Sequence, residues 1–582
     1  MSQTRTGGSA ELKFAKSAYW YFLFWGVCSA LGTTLCTLVD AILVGNLVGS
    51  DGLAATGIAT PVFLTYALLG MTLGVGASVR IGRDLGSANV EEANRRFHSV
   101  LLTGLIVGLG CMAATLLLRQ QILDFLGAQD NLRSLSEQYL TVVFVSAPIF
   151  VLYHIMAAAV RTDGGPALAA VSSAVVIVVN LSLDFVFMKG LNWGIVGASA
   201  SLCIGETLGL LVLLSHFFRK RALLRLGLRV VRWEDLKKFV VNGFGVGSAF
   251  IFQAIVMFTF NILLLASGDG NGVTYVAIFG VMYTMSTIPA AIFDGAGNAI
   301  STVVSIFAGE KDSASILTTM RQGLKIVVAG GILVAAIFAL KAPALIRFFG
   351  ITDQTALDLA VPAVRVYVGC FLFMGVNVLA TAFWQAIGRA RLAGGMSIAR
   401  NFVLMLALGM ALILQMQIVG LSLTYVITEA LCLIGVVVIH GVSSSNRYTE
   451  QKYASTGQAF EKVYTISTDS ITEIANDLEQ VCDQWEIDYK KAFFIHLIVE
   501  ELILNIIKFG LRDTRRVRSI AIRLLDNEGE CILRIRDNVR TYNPFDSSGD
   551  DIDNAVIGLI TKKTQFYSYQ RKLIFNYLYL IL

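Results

Sequence analysis

The sequence predicts an all-α polytopic membrane bundle of twelve transmembrane helices in two six-helix parallel repeats, followed by a C-terminal cytoplasmic α/β domain. Three observations predict it. Of 582 residues, 55% are hydrophobic and only 15% are charged, and the mean hydropathy is +0.68, too apolar for a soluble chain of this length. Several short segments recur at one constant offset, and the composition turns abruptly polar after Gly441.

A membrane-spanning helix needs about 20 mostly apolar residues. Twelve stretches qualify: 17–43, 53–79, 95–118, 138–160, 166–188, 194–218, 238–266, 273–306, 320–340, 356–386, 392–414 and 418–441. The start, MSQTRTGGSAELKFAKSAYW, is polar and basic, without a small-residue cleavage site after the first apolar run, so no cleaved signal peptide is expected. Arg80, Arg83, Arg95 and Arg96, the Arg219–Lys238 connector, and Arg389 with Arg391 fall on one side of this topology. Positive charge marks the cytoplasmic side, so a multi-pass protein of the cell (inner) membrane is expected, with both termini cytoplasmic. The net charge of +5 then reflects topology, and no nucleic-acid partner is expected. None of the eight cysteines forms a CxxC pair, and they read as packing residues.

The repeats set the architecture. LGSANVEEA at Leu85 resembles AGEKDSASI at Ala308, DFLGAQD at Asp124 resembles RFFGITD at Arg347, and GIVGASASLCIGE at Gly194 resembles QIVGLSLTYVITE at Gln417. Gly86/Gly309, Gly127/Gly350, Gly197/Gly420 and Glu206/Glu429 are each 223 residues apart. Each copy holds an even number of spans, so both enter from the same side as parallel repeats, with the substrate site expected between them. The expected division is a cytoplasmic N-terminus 1–16, N-lobe 17–218, basic linker 219–237, C-lobe 238–442, linker 443–459 and a last domain 460–582.

Polar groups inside the first copy are the candidates for function. An ionisable side chain in a transmembrane helix costs at least about 2.5 kcal/mol by insertion scales, so it usually faces a cavity and marks a path. Asp40 lies deep in the first span, and Asn180 and Asp184 share a face of the fifth, four residues apart. Their counterparts at +223 are Leu263, Val403 and Ala407, so the duplication keeps the scaffold without these groups. A desolvated carboxylate holds its proton more tightly and releases it when the cavity hydrates, which is the chemistry an antiporter needs. Tyr139, Asp294, and Ser199 or Ser201 are further candidates. Glu206 and Glu429, equivalent in both copies, read as structural.

The segments VDAILVGNLVGSDGLAATGIATP from Val39, RTDGGPALA from Arg161, NLSLDFVF from Asn180 and GIVGAS from Gly194 resemble, in order and spacing, the multidrug and toxic compound extrusion (MATE) family. The resemblance covers about residues 15–442. It implies a two-lobe bundle, seated in the lipid bilayer, that exports small amphipathic or cationic substrates by alternating access, in exchange for H+ or Na+. No cofactor is implied for transport. Its DinF-like branch implies an N-lobe cluster, matched here by Asp40, Asn180 and Asp184. The seventh span carries Gln253 and no acid, which favours H+ over Na+.

The tail reads as a strand at Lys462–Ser467, helices at Ser470–Glu486 and Tyr489–Phe509, strands at Arg518–Leu525 and Cys531–Asp537, and a last strand near Asn576–Leu582. EELILNIIKFG followed by IRDNVRTYNPF resembles the GHKL (Bergerat) ATP-binding fold of histidine kinases and anti-sigma-factor serine kinases. That resemblance implies ATP and Mg as cofactors, with Asn505 on the magnesium, Glu501 as base or water-orienting residue, Asp537 on the adenine amino group, and Lys508 and Gly558 beside the nucleotide. Val539 replaces the glycine expected after Asp537, and the Gly-rich lid is reduced to Gly549 and Gly558.

The expected function is a secondary-active MATE-type multidrug efflux antiporter with a regulatory nucleotide-binding-like tail, which binds a cytoplasmic regulatory protein in one reading. A transporter rather than an enzyme is expected, with weak ATPase or serine kinase activity in the tail left open. A lipid-linked precursor flippase and a membrane receptor signalling through a serine-kinase-like tail are the alternatives. No GxxxxGK[ST] segment is present, so ABC-type ATP-driven pumping has no support in the sequence.

Overall fold

A computed structural model of the chain describes residues 8–128, 130–219, 221–227, 232–266, 270–349, 351, 353–443, 449, 452, 458–510, 518–527, 530–541, 543–545 and 552–582. The first half of the bundle comprises α1 (Gly8–Leu47), α2 (Ser50–Gly86), α3 (Val90–Leu117), α4 (Arg119–Phe125), α5 (Asp130–Val145), α6 (Ala147–Thr162), α7 (Pro166–Asp184) and α8 (Gly194–Leu214). The second comprises α9 (Trp233–Leu265), α10 (Gly272–Gly309), α11 (Ser313–Leu340), α12 (Ala342–Phe348), α13 (Gln354–Tyr367), α14 (Phe371–Ala386), α15 (Ala390–Ile398) and α16 (Leu404–Ser443).

Among the described residues, nine helices are long and apolar enough to cross a membrane, or ten if the bent pair Leu132–Val145 and Ala147–Thr162 forms one span. Twelve passes were expected from the sequence. The count differs in part because one continuous helical run, Ala390–Ile439, covers two of the expected spans. Inside it Gln417 has φ 46° and ψ −122°, a non-helical break. A Cβ on Gly420 would overlap the carbonyl of Leu412. Residues eight apart in a straight helix are about 12 Å apart, so the chain doubles back at Gln417. The bend between α5 and α6 is 52°, at Ser146, two residues before Pro148 in the first turn of α6.

The halves come into backbone contact at one end. Gly86 closes α2 and its repeat mate Gly309 closes α10. A Cβ on Gly86 would overlap the carbonyl of Ile306, and one on Gly309 would overlap that of Arg83. Only glycine permits this approach of backbone to backbone. At the same end the Arg83 guanidinium donates to the Ala386 carbonyl (Nε, 3.2 Å).

The C-terminal region is a five-stranded antiparallel sheet of order β1-β2-β3-β5-β4, from β1 (Gln458–Thr465), β2 (Ser519–Asn527), β3 (Glu530–Asp537), β4 (Phe566–Lys572) and β5 (Phe575–Ile581). Three helices, Thr468–Gln484, Tyr489–Asn505 and Ile552–Lys563, accompany it. The helix Ile552–Lys563 and strand β4 were missing from the sequence reading. The pattern of β4, FYSYQRK, mixes polar residues on both faces, which hides the period-2 signal of a one-sided strand.

Side chains alternate across this sheet. Ile520, Ile522, Leu524, Leu533, Ile535, Leu578 and Leu580 form a core with the helices. Ala521, Phe575 and Tyr577 turn the other way and join the core of the bundle. The second face therefore rests on the glycine-contact end. Arg536 pairs with Glu310 (2.7 Å) and Asp312 (3.5 Å). Arg534 donates to the Glu310 carbonyl (2.6 Å), and Lys572 donates to the Gly86 carbonyl (3.2 Å). Phe14 of α1 meets Phe575 edge-on at 4.9 Å between centroids. Arg534 and Lys572 meet carbonyls at the C-terminal ends of two repeat-related helices, where unpaired acceptors and the helix dipole favour positive charge. One sheet face thus bonds to both halves.

Candidate transport site

Four elements of the first half bring polar groups together in otherwise apolar packing. Asn180 and Asp184, one turn apart on α7, are fully buried, as is Ser201 of α8, while Tyr139 of α5 is 3% exposed. Ser201 donates to Asp184 Oδ1. Asn180 donates to Ser201 Oγ (3.4 Å) and accepts from Cys36 Sγ of α1 (3.5 Å). Asp40, one turn beyond Cys36, is half-buried, and its carboxyl interacts directly with that of Asp184. The charges of both acids reach the Tyr139 hydroxyl. One oxygen of each, Asp40 Oδ1 and Asp184 Oδ2, is buried with no hydrogen-bond partner among the described residues. Two interacting carboxyls, each with a buried unpartnered oxygen, cannot both ionise cheaply, so the arrangement is suited to holding and releasing a proton.

The structure thus gathers Asp40, Asn180, Asp184, Tyr139 and Ser201. Asp294 lies apart from them on α10 and is exposed. Ser199, the alternative to Ser201, bonds among the described residues only to the Val196 carbonyl in its own helix (3.1 Å). Cys36, read from the sequence as packing, is a member of the cluster. Its spacing of four residues before Asp40 was the available signal.

The second half holds a different buried group. Arg400 meets Glu429 Oε1 through Nε (2.8 Å) and Nη2 (2.7 Å). Asn377 donates to Glu429 Oε2 (2.7 Å) and to its carbonyl (2.9 Å). Asp294 is close enough to act on the Arg400 charge. Arg400 is an intramembrane arginine that the sequence reading passed over.

A family model described as MatE matches residues 27–186 and 248–411, more than half of the chain. The chain belongs to the MatE family. Among relatives, the Multidrug export protein MepA of Staphylococcus saprophyticus is 24% identical over 372 residues, 63% of this chain and 80% of that protein. MepA of Staphylococcus aureus (strain NCTC 8325) is 24% identical over 414 residues, 70% of this chain and 90% of that protein. The fold matches an outward-facing multidrug resistance MATE family transporter with a TM-score of 0.70 at 23% identity, covering 77% of this chain and all of that one. It also matches a MOP superfamily transporter from Pyrococcus furiosus, with a TM-score of 0.69 at 22% identity over 78% of this chain and all of that one. This MatE chain is therefore a multi-pass membrane protein with the helical-bundle fold of that family.

In the tail of this MatE protein, Asp537 ends β3 on the helix-covered face. Its Oδ1 accepts from the Val539 N–H (3.0 Å) and from Asn576 Nδ2 (2.8 Å). Asn505 is buried and donates to Glu501 Oε1 (3.1 Å), which leaves its Oδ1 as the atom able to meet a metal. Lys508 is exposed on the last turn, and Gly558 lies within the helix Ile552–Lys563. Gly549 of the reduced lid lies outside the described residues. Among the described residues no cluster of three or more His, Cys, Asp or Glu could hold a metal by itself, so magnesium would depend on a ligand that brings it.

Burial pushes the Asp537 carboxyl up from 3.8 to about 6, against the pull of the two N–H donors. A raised folded-state value means the folded tail binds this proton more tightly than the unfolded chain. Its stability therefore falls as the pH rises from about 4 through about 6 and then levels off, by as much as about 3 kcal/mol at 1.36 kcal/mol per unit. Asp537→Asn keeps an oxygen for both donors. The variant is expected to unfold at higher denaturant than the parent at pH 7 and at equal denaturant at pH 4, read by pulse proteolysis of the full chain. A pH-independent difference would contradict this.

Proposed function

We propose that this protein is a secondary-active multidrug antiporter with twelve passes in two six-helix lobes. It exports amphipathic or cationic compounds in exchange for protons, and its tail regulates it. The Asp40–Asp184 contact, buried beside Asn180, Ser201 and Tyr139 in one half alone, is the observation that carries the reading. Two facing carboxyls share a proton while the site is dry and give it up when the lobe hydrates or a cation enters, so proton release is tied to conformation. Sodium has less support, since Gln253 is engaged with the Tyr283 hydroxyl (3.3 Å) where an acid would stand. The names of the MepA relatives support the substrate class.

The tail's regulatory role is supported by its grip on both halves, through Lys572 at Gly86 and Arg534 and Arg536 at Glu310. In an alternating-access cycle the lobes separate at one face while they meet at the other. A domain bonded to both lobes at the meeting face, taken as cytoplasmic, opposes opening there. If the tail binds a nucleotide, Asn505 would hold its magnesium and Asp537 would receive the adenine amino group, with Glu501 orienting water. Bound nucleotide would supply a regulatory signal at the helix-covered face of the sheet. The flippase reading is weakened because Arg400 is already paired with Glu429 and is not free to meet a phosphate.

The test is transport of ethidium in proteoliposomes under an imposed pH gradient. Asp40→Asn and Asp184→Asn are each expected to reduce gradient-driven transport by at least tenfold while leaving ethidium binding within a few-fold. Undiminished transport in both variants would remove the proton site.

A further inference from the structure

Glu206 is a carboxyl that the proposed proton site leaves unused. It lies on α8, five residues beyond Ser201. Its Oε2 is buried with no hydrogen-bond partner among the described residues. Its repeat mate behaves differently: Glu429 is held on both oxygens, by Arg400 and by Asn377. At the positions equivalent to those two partners, the first half has Ile177 and His154. The duplication has therefore kept the same acid in both halves and its cation and amide in only one. A structural role was expected for both from their equivalence; among the described residues the two differ in that Glu429 is held on both oxygens while Glu206 Oε2 is not.

Two hydrogen-bonded strings run between the helices of this half. The outer one runs Cys36–Asn180–Ser201–Asp184. The inner one runs Ser29–Ser173–Tyr153, at 2.8 Å and 3.4 Å. Ser29 precedes Cys36 by seven residues on α1, about 10 Å along a helix axis. The inner string thus lies nearer the end of α1 that Phe14 anchors to the tail. Glu206 acts electrostatically on a member of each string, Cys36 and Tyr153, and on Cys203 of its own helix. Asp40 and Asp184 also act on Cys36, and Arg161 acts on Tyr153. The helices that carry these groups touch closely, since a Cβ on Gly205 would stand 3.0 Å from the Val176 carbonyl and 3.5 Å from Asn180 Cβ.

We propose that Glu206 is a proton relay between the Asp40–Asp184 pair and the tail-side end of the first lobe. This rests on the proton-coupled reading. The step is proton transfer alone. The O–H bond of one carboxyl breaks with its electron pair left on that oxygen, and a new O–H bond forms on Glu206, water carrying the hop where no side chain spans the gap. The proton then leaves along Tyr153, Ser173 and Ser29. An acid whose two oxygens are both held, as those of Glu429 are by Arg400 and Asn377, has no oxygen free to take and pass on a proton, which gives the missing cation a purpose.

Glu206→Gln in the full chain, reconstituted in proteoliposomes, separates relay from scaffold. Two quantities are read: ethidium transport driven by a pH gradient, and ethidium exchange at equal pH on both sides, which needs no net proton movement. Glu206→Gln is expected to lose at least tenfold of the first and to keep the second within about twofold. A fall in both together would mean a packing role and overturn the relay. Gradient-driven transport unchanged in Glu206→Gln but lost in Asp184→Asn would also overturn it, with the proton site left standing. Loss in neither variant would overturn both readings.

Discussion

Arg400→Met is expected to destabilise the protein more than any substitution at the first-half cluster. Its guanidinium makes two contacts of 2.8 Å and 2.7 Å to Glu429 Oε1, and the pair is nearly sealed, at 13% and 5% side-chain exposure. Removing one partner of a buried pair strands the other charge, which costs roughly 3–5 kcal/mol. Thermal unfolding of the detergent-solubilised chain should therefore show a Tm lower by several degrees. Adding Glu429→Gln to Arg400→Met should recover most of that loss, because the stranded charge is gone and Asn377 can still donate to the glutamine oxygen. A double variant no better than the single one would mean that the arginine acts through packing alone.

Truncation after residue 442, or Arg536→Ala with Lys572→Ala, is expected to raise gradient-driven transport several-fold. Arg536 bridges Glu310 and Asp312, its guanidinium lying 5.4 Å from the Phe307 ring and 4.9 Å from the Tyr577 ring. Lys572 reaches the last carbonyl of α2 from the same sheet face. These contacts exist only while the tail-side ends of α2 and α10 are together, so they add to the barrier for separating them. Removing them lowers that barrier without touching the membrane site, so ethidium affinity should stay within twofold. Transport at the parental rate in both variants would leave the tail without control over the lobes. A rate that falls would mean that docking supports the active bundle.

Some of this was legible residue by residue. Asp40, Asn180 and Asp184 stood out because polar groups on long apolar helices are expensive wherever they face, and their absence at Leu263, Val403 and Ala407 marked one half as different. Cys36 was not legible in the same way, since a thiol reads as a small apolar residue until a partner is known. Arg400 was passed over although it lies inside the expected span 392–414, because its partner Glu429 is 29 residues away on another stretch of helix. In the tail, the buried strands β2, β3 and β5 carried clear alternation, while β4 did not.

By itself, the sequence determined the membrane class, the duplication and the identity of the acids, since these follow from composition, a constant 223-residue offset and single-residue transfer costs. Tertiary structure alone decided which of two equivalent acids is paired. Glu429 has Arg400 and Asn377 beside it, Glu206 Oε2 has no hydrogen-bond partner among the described residues, and the partners of Glu429 come from other helices at separations that periodicity does not encode. It also decided that the tail lies against both halves. Alternation along β3 shows that Arg534 and Arg536 share a face, but only packing determines what that face meets.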